Sequence, residues 1–308
     1  MRPHRRFPAL VLAAFLAPFS LPAESVTVST VPFGGMILEI PAGTSIVSDV
    51  FIGSALYQGP VVSISPEDDV LFLNSMPAIE SASYIHVLSG ADQGMVSTIL
   101  NADSESVTVE TPLVLAEGDV VAIRKHQTIG AFFAGAAFSM GDTITFYNID
   151  GTITSVTYFG SSGWLDSDLQ DGSDLLFLPG EALVVNISQA ISIIASGSVN
   201  THLVSREFVS GAVALIGTIN PIGGGTLSEL FSDGAMVGDT VTFYENSNGT
   251  LFISGSYTYF GSSGYLDDEL NSANDVKVPV AGAAVLQSGN SRLISILPAY
   301  SENQKGGG

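Results

Sequence analysis

Short runs rich in Val, Ile, Thr, Phe and Tyr recur along the chain, separated by clusters of Gly, Asp, Asn and Ser. The spacing is roughly ten residues, the pattern of sandwiches and barrels. Helical periodicity is nearly absent; Met76–Ser81 and Thr226–Phe231 are the candidate helical turns. From Ser25 to about Lys125 the runs VVSIS (61–65), VLFLN (70–74), YIHVL (84–88), MVSTIL (95–100), SVTVE (106–110) and DVVAIR (119–124) read as strands. Pro66-Glu67-Asp68-Asp69 supplies turn chemistry between the first two. Alternation in SVTVE and DVVAIR turns one side of each strand inward. Such a set predicts closure into a small barrel or sandwich, which removes free sheet edges.

The rest of the chain repeats itself. TIGAFFAGAAFSMGDTITFY (128–147) matches TLSELFSDGAMVGDTVTFY (226–244), and TYFGSSGWLDSD (157–168) returns as TYFGSSGYLDDE (258–269). The offset is 97 residues at Gly141/Gly238 and 101 at Tyr158/Tyr259, so the extra residues fall in the intervening hairpin, where a β fold tolerates insertion. The match runs on to Gly180/Gly282. Alternation in GDTITFY and GDTVTFY points Ile144 and Phe146, and Val241 and Phe243, at a core. Asp150-Gly151 and Asn248-Gly249 are turn residues that accept positive φ. The expected fold is all-β: a small N-terminal β-barrel or sandwich, then two tandem copies of a similar β-sandwich-like module.

Charge and composition narrow the partners. Arg2, Arg5 and Arg6, an apolar run from Ala9 to Phe19, and Leu21-Pro22-Ala23 have the order of a secretory signal peptide. The run is too short for a bilayer span of ~20 residues. After Ala23, six basic and 30 acidic side chains remain, a net charge of −24. That charge disfavours nucleic acid and anionic membrane surfaces. No apolar run after the signal reads as a membrane span. There is no cysteine, so no disulfide and no lipid anchor through a thiol. The expected layout is signal 1–23, N-terminal β domain 24–125, repeat modules 126–225 and 226–300, and tail 301–308, in an exported protein of the periplasm, cell surface or extracellular space.

GDVVAIRKHQTIGAFF (118–133), GDTITFY, TYFGSSGWLDSD, LPGEALVV and SGADQG…ILNADSESVTV (89–109) resemble a family of exported β-rich bacterial proteins of unassigned function, of the verrucomicrobial type. The resemblance implies export and an all-β structure. It implies no site.

Candidate chemistry lies in the repeated loops. Asp166/Asp267, Asp168/Glu269 and Asp174/Asp275 are carboxylates in both copies. Oxygen-rich loops suit Ca²⁺, so these six are the candidate ligands, although the EF-hand glycine and closing glutamate are missing. The competing reading has Asp166 and Asp267 capping a short turn, with the other acids solvated. A hydrolase acid pair would need two carboxylates facing across a cleft. Trp164 and Tyr265 occupy matching places beside the loops and are candidates for stacking on a sugar; the alternative is that each covers the end of its own core. His86, His126 and His202 have no metal-ligand or triad spacing. Arg124-Lys125-His126 is expected to pair with acids across the junction with the repeats. Taken together, these features predict a non-catalytic structural or interaction protein, with no cofactor and no catalytic residues. A polysaccharide- or calcium-binding module is the alternative, and a glycoside hydrolase-like enzyme comes third.

Overall fold

The computed structural model describes residues 32–65, 69–79, 82–148, 151–221, 225–280 and 282–298. The expected signal, the tail and most of the Pro66–Asp69 turn lie outside them. The described chain is all-β, with two single-turn helices.

Two strands come first, β1 (Phe33–Ile40) and β2 (Gly43–Ser48). Six more follow: β3 (Ala55–Ile64), β4 (Val70–Leu73), β5 (Ser83–Val87), β6 (Val96–Ala102), β7 (Ser106–Val109) and β8 (Val120–Lys125). These six close into a barrel in the order β3-β4-β7-β6-β5-β8. β5, β6 and β7 form a meander and β8 returns beside β5, a Greek key. Val61, Leu71, Val87, Val107, Val121 and Ile123 fill the interior. Burial alternates along β7, whereas β5 is buried throughout because its outer face is also covered. The expected strands are all present, with β3 beginning six residues earlier than its apolar run. Met76–Ile79 is not helical.

Next come β9 (Gln127–Thr128), α1 (Ile129–Phe132), β10 (Thr143–Tyr147), β11 (Ile153–Tyr158), β12 (Trp164–Leu165), β13 (Leu176–Phe177), β14 (Ala182–Ile187) and β15 (Ile191–Ser198). The last group is β16 (Val204–Phe208), β17 (Val213–Gly217), α2 (Leu227–Phe231), β18 (Thr240–Ser247), β19 (Thr250–Tyr259), β20 (Tyr265–Leu266), β21 (Ala283–Gln287) and β22 (Arg292–Ile296). A capping box between Thr226 and Glu229 starts α2 where the sequence placed a helical turn. Thr128 caps α1, which the sequence did not announce.

One five-stranded sheet runs β12-β11-β10-β14-β2 and the other β20-β19-β18-β21-β17. Their registers correspond until β18–β19 shifts by a bulge between Phe243 and Tyr244, which β10–β11 lacks. Ile144 pairs with Val156 and Val185, and Val241 with Tyr257 and Leu286. Ser48 faces Ala182 as Gly217 faces Ala283. Met36 faces Ala195 in the β1–β15 pair as Val204 faces Ile296 in the β16–β22 pair. The inward residues Ile144, Phe146, Val241 and Phe243 are buried.

Two segments pair differently from the expected boundaries. β1 and β2 lie within 24–125, yet they join β15 and β14 rather than the barrel. β16 and β17 lie within 126–225, yet they join β22 and β21. Because β1–β2 and β16–β17 share a pattern without shared letters, repetition in the sequence did not reach them.

The two sheets also pack on each other. β2 lies over β18 and β19, and β17 over β10 and β14. Ala182, Leu215 and Ala283 are buried between them. The contact is reciprocal: Ser48 Oγ donates to Gly282 O, and the Gly217 N–H donates to Gly180 O.

Candidate functional site

The repeated loops are built the same way. After β12, the Asp166 carboxylate accepts the N–H groups of Asp168 (2.9 Å) and Gln170 (2.8 Å). After β20, Asp267 accepts those of Glu269 (3.0 Å) and Asn271 (2.8 Å). Each aspartate thereby ties its own turn together. The Asn271 N–H in particular holds the Asp267 carboxyl below its usual range. The turn closes with Leu169 or Leu270 at positive φ. Asp168, Glu269, Asp174 and Asp275 are exposed.

β12 and β20 are the outermost strands of sheets that overlap through their other edges, so the two loops lie at opposite outer edges. The six candidate carboxylates are therefore not gathered at one point, and no acid of one loop faces an acid of the other across a cleft. Among the described residues no three His, Cys, Asp or Glu side chains are grouped to hold a metal ion.

Trp164 is 5% exposed and Tyr265 0%. Trp164 packs edge-on to Phe138 at 4.7 Å and Tyr158 at 5.3 Å between ring centres. Tyr265 packs on Tyr259 at 5.2 Å and donates its hydroxyl to Phe231 O (3.0 Å). Burial pushes that hydroxyl up to about 12. Of the two readings of this aromatic position, its burial favours the one in which each ring covers the end of its own core.

A second polar locus lies where the barrel meets the rest of the chain. Arg124 is buried and donates to Gly53 O (2.8 Å), so its partner is a carbonyl rather than the expected acid. His86, on β5, is fully buried with Nε2 2.7 Å from Leu203 O, a contact that requires Nε2 to carry the proton. Its ring meets His202 edge-on at 6.2 Å. His126 stacks obliquely on Tyr84 at 5.1 Å. Burial lowers His86 to about 3 and His126 to about 4, so both are neutral near pH 7. Burial raises Asp49 to about 7 despite the hydrogen bond from the Phe51 N–H. Glu181 meets Arg206 at 2.8 Å. Asp49, Tyr84 and Phe51 help line a cavity of only 20 Å³, room for one water. His86 is committed to a carbonyl. The locus is a polar seam that fixes the barrel in place.

Asp142 and Asp239, from the repeated GDT, are buried polar residues that sequence reasoning passed over. Asp142 accepts the N–H groups of Ser139 (2.7 Å) and Ser188 (2.8 Å). Asp239 accepts that of Met236 (3.1 Å) and faces Arg292 Nε at 3.4 Å. Their recurrence before the alternating strand was the available signal. No protein-family model matches this chain, and no curated protein matches it.

Proposed function

We propose that this chain is an exported, non-catalytic structural or interaction protein in which a barrel is carried on two copies of one β-sandwich-like module. In this layout the first copy comprises 33–48 and 127–198, the second comprises 204–296, and the barrel is inserted into the first between its second strand and its helix. The matching registers of the two sheets support the duplication. The observation that carries the role is the use made of the repeated residues: Asp166 and Asp267 hold backbone N–H groups, and Trp164 and Tyr265 fill cores. A repeat kept by folding needs no reaction to explain it.

Two experiments test the reading. Expressed with residues 1–23, the chain is expected outside the cytoplasm with its N-terminus at Glu24; cytoplasmic retention of an uncut chain refutes export. Replacing Asp166 and Asp267 together by Ala is expected to lower Tm equally with and without millimolar calcium. A calcium-dependent rise in Tm that disappears in the double variant would instead establish the calcium-binding alternative.

A further inference from the structure

Among the described residues, a sheet edge on β16 takes up a segment of the barrel, and the equivalent edge on β1 is unpaired. On β16, the Ser205 N–H points away from β22 and donates to Gly94 O (2.7 Å), while Met95 bridges Ser205 in parallel. A segment of the barrel thus adds itself to this edge. Ile37 of β1 holds the corresponding position, facing Ile194 as Ser205 faces Ser295. Among the described residues β1 pairs with β15 alone.

The residues on the two strips differ in the way their cover demands. Under the barrel stand Ser205, fully buried, and Ser295, their hydroxyls 3.4 Å apart. On β1–β15 the same pair is Ile37 and Ile194, 62% and 75% exposed, with Phe33 also exposed on the strand. Exposed β-branched residues paired across strands on an edge lacking Lys and Pro form the kind of surface that soluble proteins otherwise guard. Beside this edge runs a groove of 590 Å³ lined by Met36, Glu39, Ile46, Tyr244, Glu245 and Val280, a volume typical of ligand sites.

We propose that the open edge of β1, with Ile37, Ile194 and the adjoining groove, binds an extended segment of a partner polypeptide that adds a strand parallel to β1. The resident at the equivalent edge defines the chemistry: a backbone contact made at a small residue, Gly94, with Met95 turned into its own barrel. At Gly94 an added Cβ would lie 2.6 Å from Ser205 Oγ, so close approach favours glycine. Glu39 and Glu245 make the groove acidic, so the segment is neutral or basic. A second copy of this strongly acidic chain is disfavoured on the same ground. The inference deepens the reading of the chain as an interaction protein and rests on it for the existence of a partner.

The test uses the whole chain after export and a fluorescent peptide, Lys-Gln-Gly-Met-Val-Ser-Thr, which is the barrel's own 93–98 segment behind a lysine. Saturable binding is expected by anisotropy, at least tenfold weaker for Ile37→Pro, which removes the outward N–H on an edge strand. Ile194→Lys changes an exposed side chain and serves as a second variant that keeps the fold. It is expected to weaken binding by a similar factor, with circular dichroism unchanged. A peptide N-methylated at Met keeps its side chains but loses a ladder hydrogen bond, and is expected to fail. No saturable binding below about 1 mM, or equal binding by the methylated peptide, overturns the proposal. So does a self-associating chain made monomeric by Ile194→Lys. None of these outcomes bears on export or on the calcium test, so the two readings fail separately.

Discussion

A leucine with positive φ and an exposed side chain is an unusual choice, and this chain makes it twice, at Leu169 (φ 60°) and Leu270 (φ 64°). Each ends the turn tied by Asp166 or Asp267, where glycine is the residue without a steric penalty. Leu169→Gly is therefore expected to stabilise the protein by about 1 kcal/mol, less the entropy lost by a more flexible chain. A higher Tm by calorimetry checks this, whereas a lower one would show that the leucine makes a contact worth more than its strain. Titration at the polar seam is also a residue-scale matter. Asp49 keeps its proton in the folded chain up to about pH 7, against 3.8 unfolded, so its contribution to stability is lost as pH rises through that window. His86 and His126 act oppositely. The unfolded chain takes up their protons near 6.5 and the folded chain only near 3 to 4, so stability is lost as pH falls between those values. Asp49→Asn should remove the loss on the alkaline side alone. Urea unfolding at pH 5 and pH 8 is expected to show the variant gaining stability at pH 8 relative to the parent.

At the scale of elements, the two five-stranded sheets solve one packing problem with different chemistry. Asp142, before β10, takes a backbone N–H from Ser188, and Ile191 begins the strand β15. At the start of β22, in the place that Ile191 holds on β15, stands Arg292, facing Asp239 and donating to Phe231 O and Asp233 O. Arg292→Ile would strip the buried Asp239 carboxylate of its counter-charge and remove the guanidinium donor from Phe231 O and Asp233 O, and is expected to cost roughly 3 kcal/mol. Adding Asp239→Asn should recover part of that in denaturant melts. This difference also shows what the sequence could and could not reveal. The strands of the barrel were legible because alternation and turn residues are local, and so were the GDT strand and the loop after TYFG. The partners of β1, β2, β16 and β17 were not. Pairing across the barrel insertion is a long-range choice, set by which apolar face meets which core, and no short pattern records it. Ligand-like letters are ambiguous for a related reason. The aspartates and Trp164 have the residue types of a binding loop, but a carboxylate accepting its own backbone N–H groups reads identically until the chain is folded.

At the scale of the whole molecule, the two sheets are held by an exchange of hairpins. The tip of β18–β19 reaches the start of β2, where Asn246 Nδ2 donates to Thr44 O (2.8 Å) and the Thr44 N–H meets Gly249 O (3.4 Å). In the reverse direction, the tip of β10–β11 brings Gly151 against Ala212 at the start of β17. The two tips are not equal. β18 extends to Ser247 whereas β10 stops at Tyr147, so the longer hairpin makes the closer contact. That contact depends on the absence of a side chain at Gly43, which has φ 89° and whose added Cβ would fall 2.1 Å from Gly249 O. Neither backbone can retreat without breaking the register of β2 against β14 or the Asn246 hydrogen bonds. Gly43→Ala is therefore expected to cost about 3 kcal/mol through overpacking and a disfavoured φ together. The same substitution at Gly211, which also has positive φ but open space around its Cβ, isolates the conformational part and is expected to cost only about 1 kcal/mol. Equal losses for the two variants in thermal or urea unfolding would mean that the hairpin contact does not hold the sheets together, and the reciprocal packing of the two sheets would then need another source of stability.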